Sequence, residues 1–166
     1  MHAAIFDIDG TLIDSYGVDD ALYAEAIQRA LGPVRLRPAW QDYMHVSDTG
    51  ILADICADNA MTYSSAVSDQ VLEVYLRSLL ARTRMHGPYL PMPGALAYVD
   101  GLRARPDVQV AYATGGWRKS AEHKLASAGF PVAGVALATA DDHPDRSRIM
   151  LHALGVEPQQ VVPLQP

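Results

Sequence analysis

One strand-like segment stands alone at the start of this chain, separated from every other by a long stretch of helical periodicity. Ala3 to Phe6 is a short apolar run closed by a DG turn, the pattern of a strand buried on both faces. From Tyr16 to about Tyr89 no strand signal recurs. Leu22, Tyr23, Ala26, Ile27, Ala30 and Leu31 repeat at helix spacing behind Asp19 and Asp20, and Gly32-Pro33 supplies the stop. A second helix is predicted from Asp48 through Cys56, burying Ile51, Leu52 and Ile55. A third is predicted from about Val67 to Ala81, through Val71, Leu72, Tyr75 and Leu79. "PYLPMPG", Pro88 to Gly94, then breaks the helix and reads as a linker.

Beyond the linker the chain alternates. A helix carrying Leu96, Val99 and Leu102 leads to the strand "VQVAYAT", and a helix from Trp117 to Ala128 follows. The strand "VAGVALAT", a helix around Ile149 to Leu154 and a last short strand at "QQVVPL" complete the series. Such alternation means a parallel sheet with helices on both faces. The expected architecture is an α/β, Rossmann-like core of residues 1–14 and 91–166, interrupted by an all-helical cap at 15–90. Hinges are expected near Asp14-Ser15 and Pro88–Gly94.

Composition narrows the function classes. Half the residues are hydrophobic, so a packed core is available. A net charge of -6 without any Lys/Arg block argues against a nucleic-acid surface. No segment reaches the length of a membrane span, and the N-terminus lacks the basic start and apolar run of a signal peptide. One cysteine, Cys56, excludes an internal disulfide framework and is expected in the core. The six histidines show no ligand spacing. A soluble, cytoplasmic protein is the expectation.

In a parallel sheet, ligands bind at the carboxyl ends of the strands. Asp7 and Asp9 leave the first strand there, and Thr114-Gly115-Gly116 leaves the second. Two carboxylates, a hydroxyl and a glycine turn with N–H groups at one edge suit phosphoryl transfer, where catalysis is mostly positioning and charge neutralisation. Two neighbouring anions repel. They become tolerable where Mg2+ and a phosphate group share their site, one carboxylate attacking phosphorus and the other handling a proton.

"DIDGTLIDS" resembles the first motif of the haloacid dehalogenase superfamily, and the helical insertion sits where that family carries its cap. By that resemblance Asp7 is the nucleophile and an Mg2+ ligand. Asp9 is general acid and then base, with its main-chain carbonyl on the metal. Thr114 in "YATGG" matches the second motif, a hydroxyl that holds a phosphoryl oxygen, with Gly115 and Gly116 beside the substrate. The third motif is a basic residue, for which "DRSRIM" offers Arg146, with Arg148 as alternative. Lys124 in "EHKLASAG" ranks behind both, lying about two turns into the preceding helix. The fourth motif, Gly-Asp with a further Asp, has no counterpart around "VVPL" before Gln165-Pro166.

That departure carries an expectation of weak Mg2+ affinity, low turnover and self-association through an incomplete sheet edge. Asp141 and Asp142, after the third strand, are expected to solvate their loop, with an approach to the metal as the alternative. In the cap, "HVSDTGI" predicts a helix N-cap at Ser47 or Asp48, with Asp48 also a weak substrate-contact candidate. The resemblance thus implies a Mg2+-dependent phosphomonoesterase acting on a small phosphorylated metabolite through an aspartyl-phosphate. A phosphomutase, or an inactive relative that only binds, are the alternatives. Asp9 argues against a dehalogenase, whose counterpart position lacks an acid.

Overall fold

The computed structural model describes residues 2–15 and 17–155. A three-stranded parallel sheet in the order β1-β4-β5 forms its centre, from β1 (His2–Phe6), β4 (Val108–Ala113) and β5 (Ala136–Ala138). The crossovers carry α4 (Ala95–Arg103) and α5 (Arg118–Ser127), and α6 (Arg146–Ala153) follows β5. Period-two alternation along β4 decides what each face meets. Val110 and Tyr112 join the cluster that holds Val99 of α4 and Leu125 of α5. Ala111 and Ala113 join the cluster with Ile149 and Ala153 of α6. Small residues on that second face let α6 approach closely. Helices therefore cover both faces, as the alternation predicts.

Two readings need correction. β1 is not buried on both faces: His2 and Ala3 are exposed, Ala4 to Phe6 half-buried, and among the described residues it pairs only with β4. Nor is Pro88–Gly94 merely a linker. Leu90–Pro91 forms a short strand, β3, antiparallel to β2 (Ile13–Asp14). The outgoing and returning chains are thus bonded to each other where two separate hinges were expected. The last strand expected at "QQVVPL", and with it the sheet-edge expectation, lies outside the described residues.

Between β2 and β3 run α1 (Val18–Leu31), a 3-10 turn (Trp40–Asp42), α2 (Asp48–Asp58) and α3 (Ser65–His86). No strand occurs among the described residues of 15–89. α3 extends five residues past its predicted end, to His86, because nothing breaks the helix before Gly87, whose φ of 85° ends it. Cys56 is fully buried. One apolar cluster runs without interruption from Ile27, Leu52 and Leu79 of these helices to Ile8, Tyr112 and Leu125 of the α/β part. Burying each such side chain contributes about 1.5–3 kcal/mol, so the inserted helices are seated on the core by the hydrophobic effect. No helix among the described residues is long and apolar enough to cross a membrane.

Candidate active site

β1 ends at Phe6, and the next residues leave the sheet in a tight loop. Gly10 adopts φ 74°, and the N–H groups of Leu12 and Ile13 both donate to the Ile8 carbonyl, at 2.9 and 3.0 Å. The fully buried Ile8 side chain pins the loop to the core. Asp7 and Asp9, on either side of it, face a cavity of about 290 Å³ between the sheet edge and the inserted helices. Thr114, Gly115 and Gly116, leaving β4, line the same cavity.

Each aspartate has its own cation. The Arg146 guanidinium, from the first turn of α6, lies 3.1 Å from Asp7 Oδ1. Arg146 thus lies beside Asp7, while Arg148 is exposed and lines neither this cavity nor its neighbour. Lys124, from α5, donates to Asp9 Oδ1 at 2.5 Å and to Asp19 Oδ2 at 2.9 Å. Lys124 thus pairs with Asp9 and Asp19, while Arg146 is the cation beside Asp7. The depth of Lys124 along α5 points it back toward the strand ends once the helix packs on the sheet, and the apolar flanks Ala121 and Leu125 already marked that face as buried.

The two carboxyl groups are tuned apart. Desolvation raises Asp7 above the usual carboxylate range, only partly offset by Arg146 and the Ile8 amide, with Asp9 adding repulsion. Burial also pushes Asp9 up, but Lys124 and the Ser15 hydroxyl (2.6 Å) outweigh it and hold Asp9 low. Lys124 is held above its ordinary value: burial works against its charge, and Asp9 with Asp19 more than compensate.

Thr114 Oγ1 accepts the Gly116 N–H at 3.0 Å, so that amide is used within the turn. Thr114 is buried but lines the cavity, and its hydroxyl proton finds no acceptor among the described residues. Gly115 has a steric reason. A Cβ there would lie 3.0 Å from Arg146 Nη1 and 3.0 Å from the Val46 carbonyl oxygen.

The N-terminus of α2 is docked directly on this turn. Ser47 is its N-cap, accepting from Gly50 N–H at 3.2 Å, as one of the two predicted caps. Asp48 is not a cap. Its N–H donates to Gly115 O at 2.7 Å, and its Oδ2 accepts Trp117 N–H at 2.9 Å across the boundary. Burial raises the Asp48 carboxyl to about 7 despite that hydrogen bond. Thr49 bridges the Trp117 indole and the Ala140 carbonyl, and Ser47 donates to the Pro144 carbonyl. Asp141 and Asp142 accept from Thr139 of their own loop and from Arg118 at the start of α5, and do not line the cavity.

The walls are unlike. Both cations, Lys124 and Arg146, come from the α/β part. The inserted helices contribute Asp19, Asp20, Asp48 and the rings of Tyr23, Trp40 and Tyr75. Among the described residues, no group of three or more His, Cys, Asp or Glu side chains is arranged to hold a metal ion.

A family model described as haloacid dehalogenase-like hydrolase matches residues 1–162. Among solved structures, a hydrolase from Pseudomonas syringae aligns with a TM-score of 0.65 at 20% identity, covering 95% of this chain and 72% of that one. CbbY from Rhodobacter sphaeroides, solved in complex with phosphate, gives 0.63 at 20% identity, with 98% and 76% covered. A HAD hydrolase of family IA, variant 3, from Entamoeba histolytica gives 0.58 at 17%, with 94% and 71% covered. At these identities the likeness to solved structures is one of fold. No curated protein matches the chain by sequence.

Proposed function

This chain belongs to the haloacid dehalogenase-like hydrolases, and from that premise we propose that it is a Mg2+-dependent phosphomonoesterase acting on a small phosphate ester. The observation that carries the reading is the pairing of Arg146 with Asp7 beside the Thr114–Gly115 turn, while Asp9 faces the same cavity with a separate cation. A dianionic phosphoryl group set between Arg146 and the Thr114 hydroxyl would have its charge met and Asp7 within reach of phosphorus.

The residues fit a sparsely ligated Mg2+. Asp7 offers a hard carboxylate to the cavity, raised above its usual range by burial that Arg146 only partly offsets. Mg2+ is commonly held by one or two carboxylates, waters and substrate phosphate. Asp7 and the Asp9 main-chain carbonyl would hold the ion, which when bound supplies further charge neutralisation for the phosphoryl group.

In the reaction, an Asp7 carboxylate oxygen bonds to phosphorus as the ester P–O bond breaks, and Asp9 gives its proton to the departing alkoxide. Asp9 then takes a proton from the water that attacks the aspartyl-phosphate, releasing phosphate and restoring Asp7. The resting Asp9 is ionised, the form the second half needs. For the first half Asp9 takes up a proton from solvent as substrate binds, because an arriving phosphate dianion raises its proton affinity.

The wall of inserted helices bears on the leaving group. It presents three aromatic rings and the Asp20 and Asp48 carboxyl groups, with Asp19 already paired to Lys124, and no cation among the described residues. A second phosphate or a carboxylate there would be repelled, whereas hydroxyl or ammonium groups find acceptors and ring faces.

The test is phosphate release from a panel of monoesters with neutral, cationic and anionic leaving groups, with Mg2+, for the parent and Asp7→Asn. Release is expected from neutral and cationic esters and is abolished by the substitution, since an amide is a poor nucleophile. No release from any ester, or undiminished release by Asp7→Asn, defeats the reading. An isomerised sugar phosphate without free phosphate would identify a mutase, and a preference for bisphosphates would reject the charge argument.

A further inference from the structure

Lys124 is 3% exposed and touches two carboxylates of different origin. One is Asp9, in the loop after β1. The other is Asp19, in the first turn of α1, whose second oxygen accepts the Tyr89 hydroxyl at 2.7 Å. Tyr89 immediately precedes β3, and Ser15, the other donor to Asp9 Oδ1, immediately follows β2. The network Ser15–Asp9–Lys124–Asp19–Tyr89 thus crosses the point where the chain leaves the α/β part and the point where it returns.

A buried ammonium is costly unless its partners are well placed. If packing alone were at stake, an apolar side chain in α5 would serve as well and would spare the desolvation of three charges. What the lysine adds is geometry. With both donors on Oδ1, Asp9 is fixed in one orientation, and Oδ2 is the oxygen left for the cavity. One donor to Asp9 stands at the exit strand, and the counterion that holds the other donor stands on α1. Separation of α1 from the core would withdraw Asp19 from Lys124 and loosen both.

Resting on the phosphatase reading above, we infer that Lys124 is a positioning residue that ties the orientation of Asp9 to the seating of the inserted helices. It is distinct from the Arg146 cation, which serves Asp7. Nothing in this role requires Lys124 to touch substrate.

The experiment compares the parent with Lys124→Met, Lys124→Arg and Lys124→Met/Asp19→Asn; the double variant avoids leaving Asp19 as an uncompensated buried charge. Each is assayed with p-nitrophenyl phosphate, whose leaving group needs little protonation, and with propyl phosphate, whose alkoxide does. Hydrogen exchange is followed at residues 13–20 and 88–91. General acid catalysis is commonly worth about 10²–10⁴-fold. Both Met variants are therefore expected to lose at least about tenfold more kcat on the alkyl ester than on the aryl ester, with KM changed less. Lys124→Arg recovers part of the loss, and exchange at both hinge segments quickens in the Met variants.

Folded Met variants that lose equally on both esters, or lose nothing, overturn the inference while leaving the phosphatase reading standing. A parent that hydrolyses neither ester defeats the phosphatase reading. Hinge exchange then decides alone: quickened exchange supports the tie, and unchanged exchange overturns it.

Discussion

Tyr112 lies near the C-terminal end of β4, completely buried, and its hydroxyl has no hydrogen-bond partner among the described residues. A buried, unsatisfied hydroxyl costs on the order of 1–3 kcal/mol. Tyr112→Phe keeps the ring's packing and removes that cost, so it is expected to leave thermal stability unchanged or raise it; a clear fall in Tm would show a hidden partner. Asp48 poses the opposite case, a polar group with a partner and still strained. Its carboxyl titrates near 7 in the fold against 3.8 ordinarily. Between roughly pH 4 and 7 the native state therefore binds more protons than the unfolded state, and stability falls as pH rises through that window. The whole penalty is present above it. Asn keeps an acceptor for the Trp117 amide without the charge. Asp48→Asn should match the parent near pH 4 and melt higher at pH 8, by roughly 2–4 °C per kcal/mol relieved. Part of the relief is lost because Asp48 is partly open to the cavity. A higher Tm at pH 4 but not at pH 8 would contradict the assignment.

At the scale of the element, α2 separates local preference from context. Gly50 lies in its first turn, and by helix propensity Gly→Ala should gain about 1 kcal/mol. A Cβ at Gly50, however, would sit 2.5 Å from His45 Cβ and 2.7 Å from the His45 carbonyl oxygen. Backbone cannot yield there without shifting the Ser47–Thr49 segment that docks on Gly115, Trp117 and Ala140. Gly50→Ala is therefore expected to lower Tm in a thermal melt, and to weaken phosphate release more than its loss of stability explains. A rise in Tm would mean that the α2 N-terminus adjusts freely. The β2–β3 ribbon makes a related point. Two residues on each side bond the exit and return of the insertion together, so any movement of those helices pivots about a paired strand and not about two loose loops.

For the molecule as a whole, the continuity of the apolar cluster matters more than the boundary between its two parts. Trp117, 2% exposed, packs edge-on against Tyr23 of α1 at 5.6 Å, and α3 packs on α5. Helices that share a core with the sheet should unfold with it. Chemical denaturation followed by tryptophan fluorescence and by far-ultraviolet circular dichroism is expected to give one coincident transition. Separate transitions would mean that the inserted helices are a second, independently stable unit.

Much of this was legible from residue order. The helix periods of 22–31 and 48–56, the switch to strand–helix alternation after Gly94, and the placing of Asp7, Asp9 and Thr114 at strand ends follow from local periodicity and the geometry of parallel sheets. A basic residue near Asp7 is what the resemblance implies, with Arg146 and Arg148 both open as candidates. The ribbon of Leu90–Pro91 could not be anticipated, because a two-residue strand carries no period. Nor could the pairing of Lys124 with Asp9 or the cross-boundary grip of Asp48, since both partners of each bond lie far apart in sequence: Lys124 and Asp9 are separated by 115 residues, Asp48 and Trp117 by 69. A side chain's own neighbours tell which way it faces on its helix. Only the packing of α5 against the sheet, and of α2 onto the Thr114 turn, decides which charge waits on the other side, because electrostatic partners are chosen by distance in space.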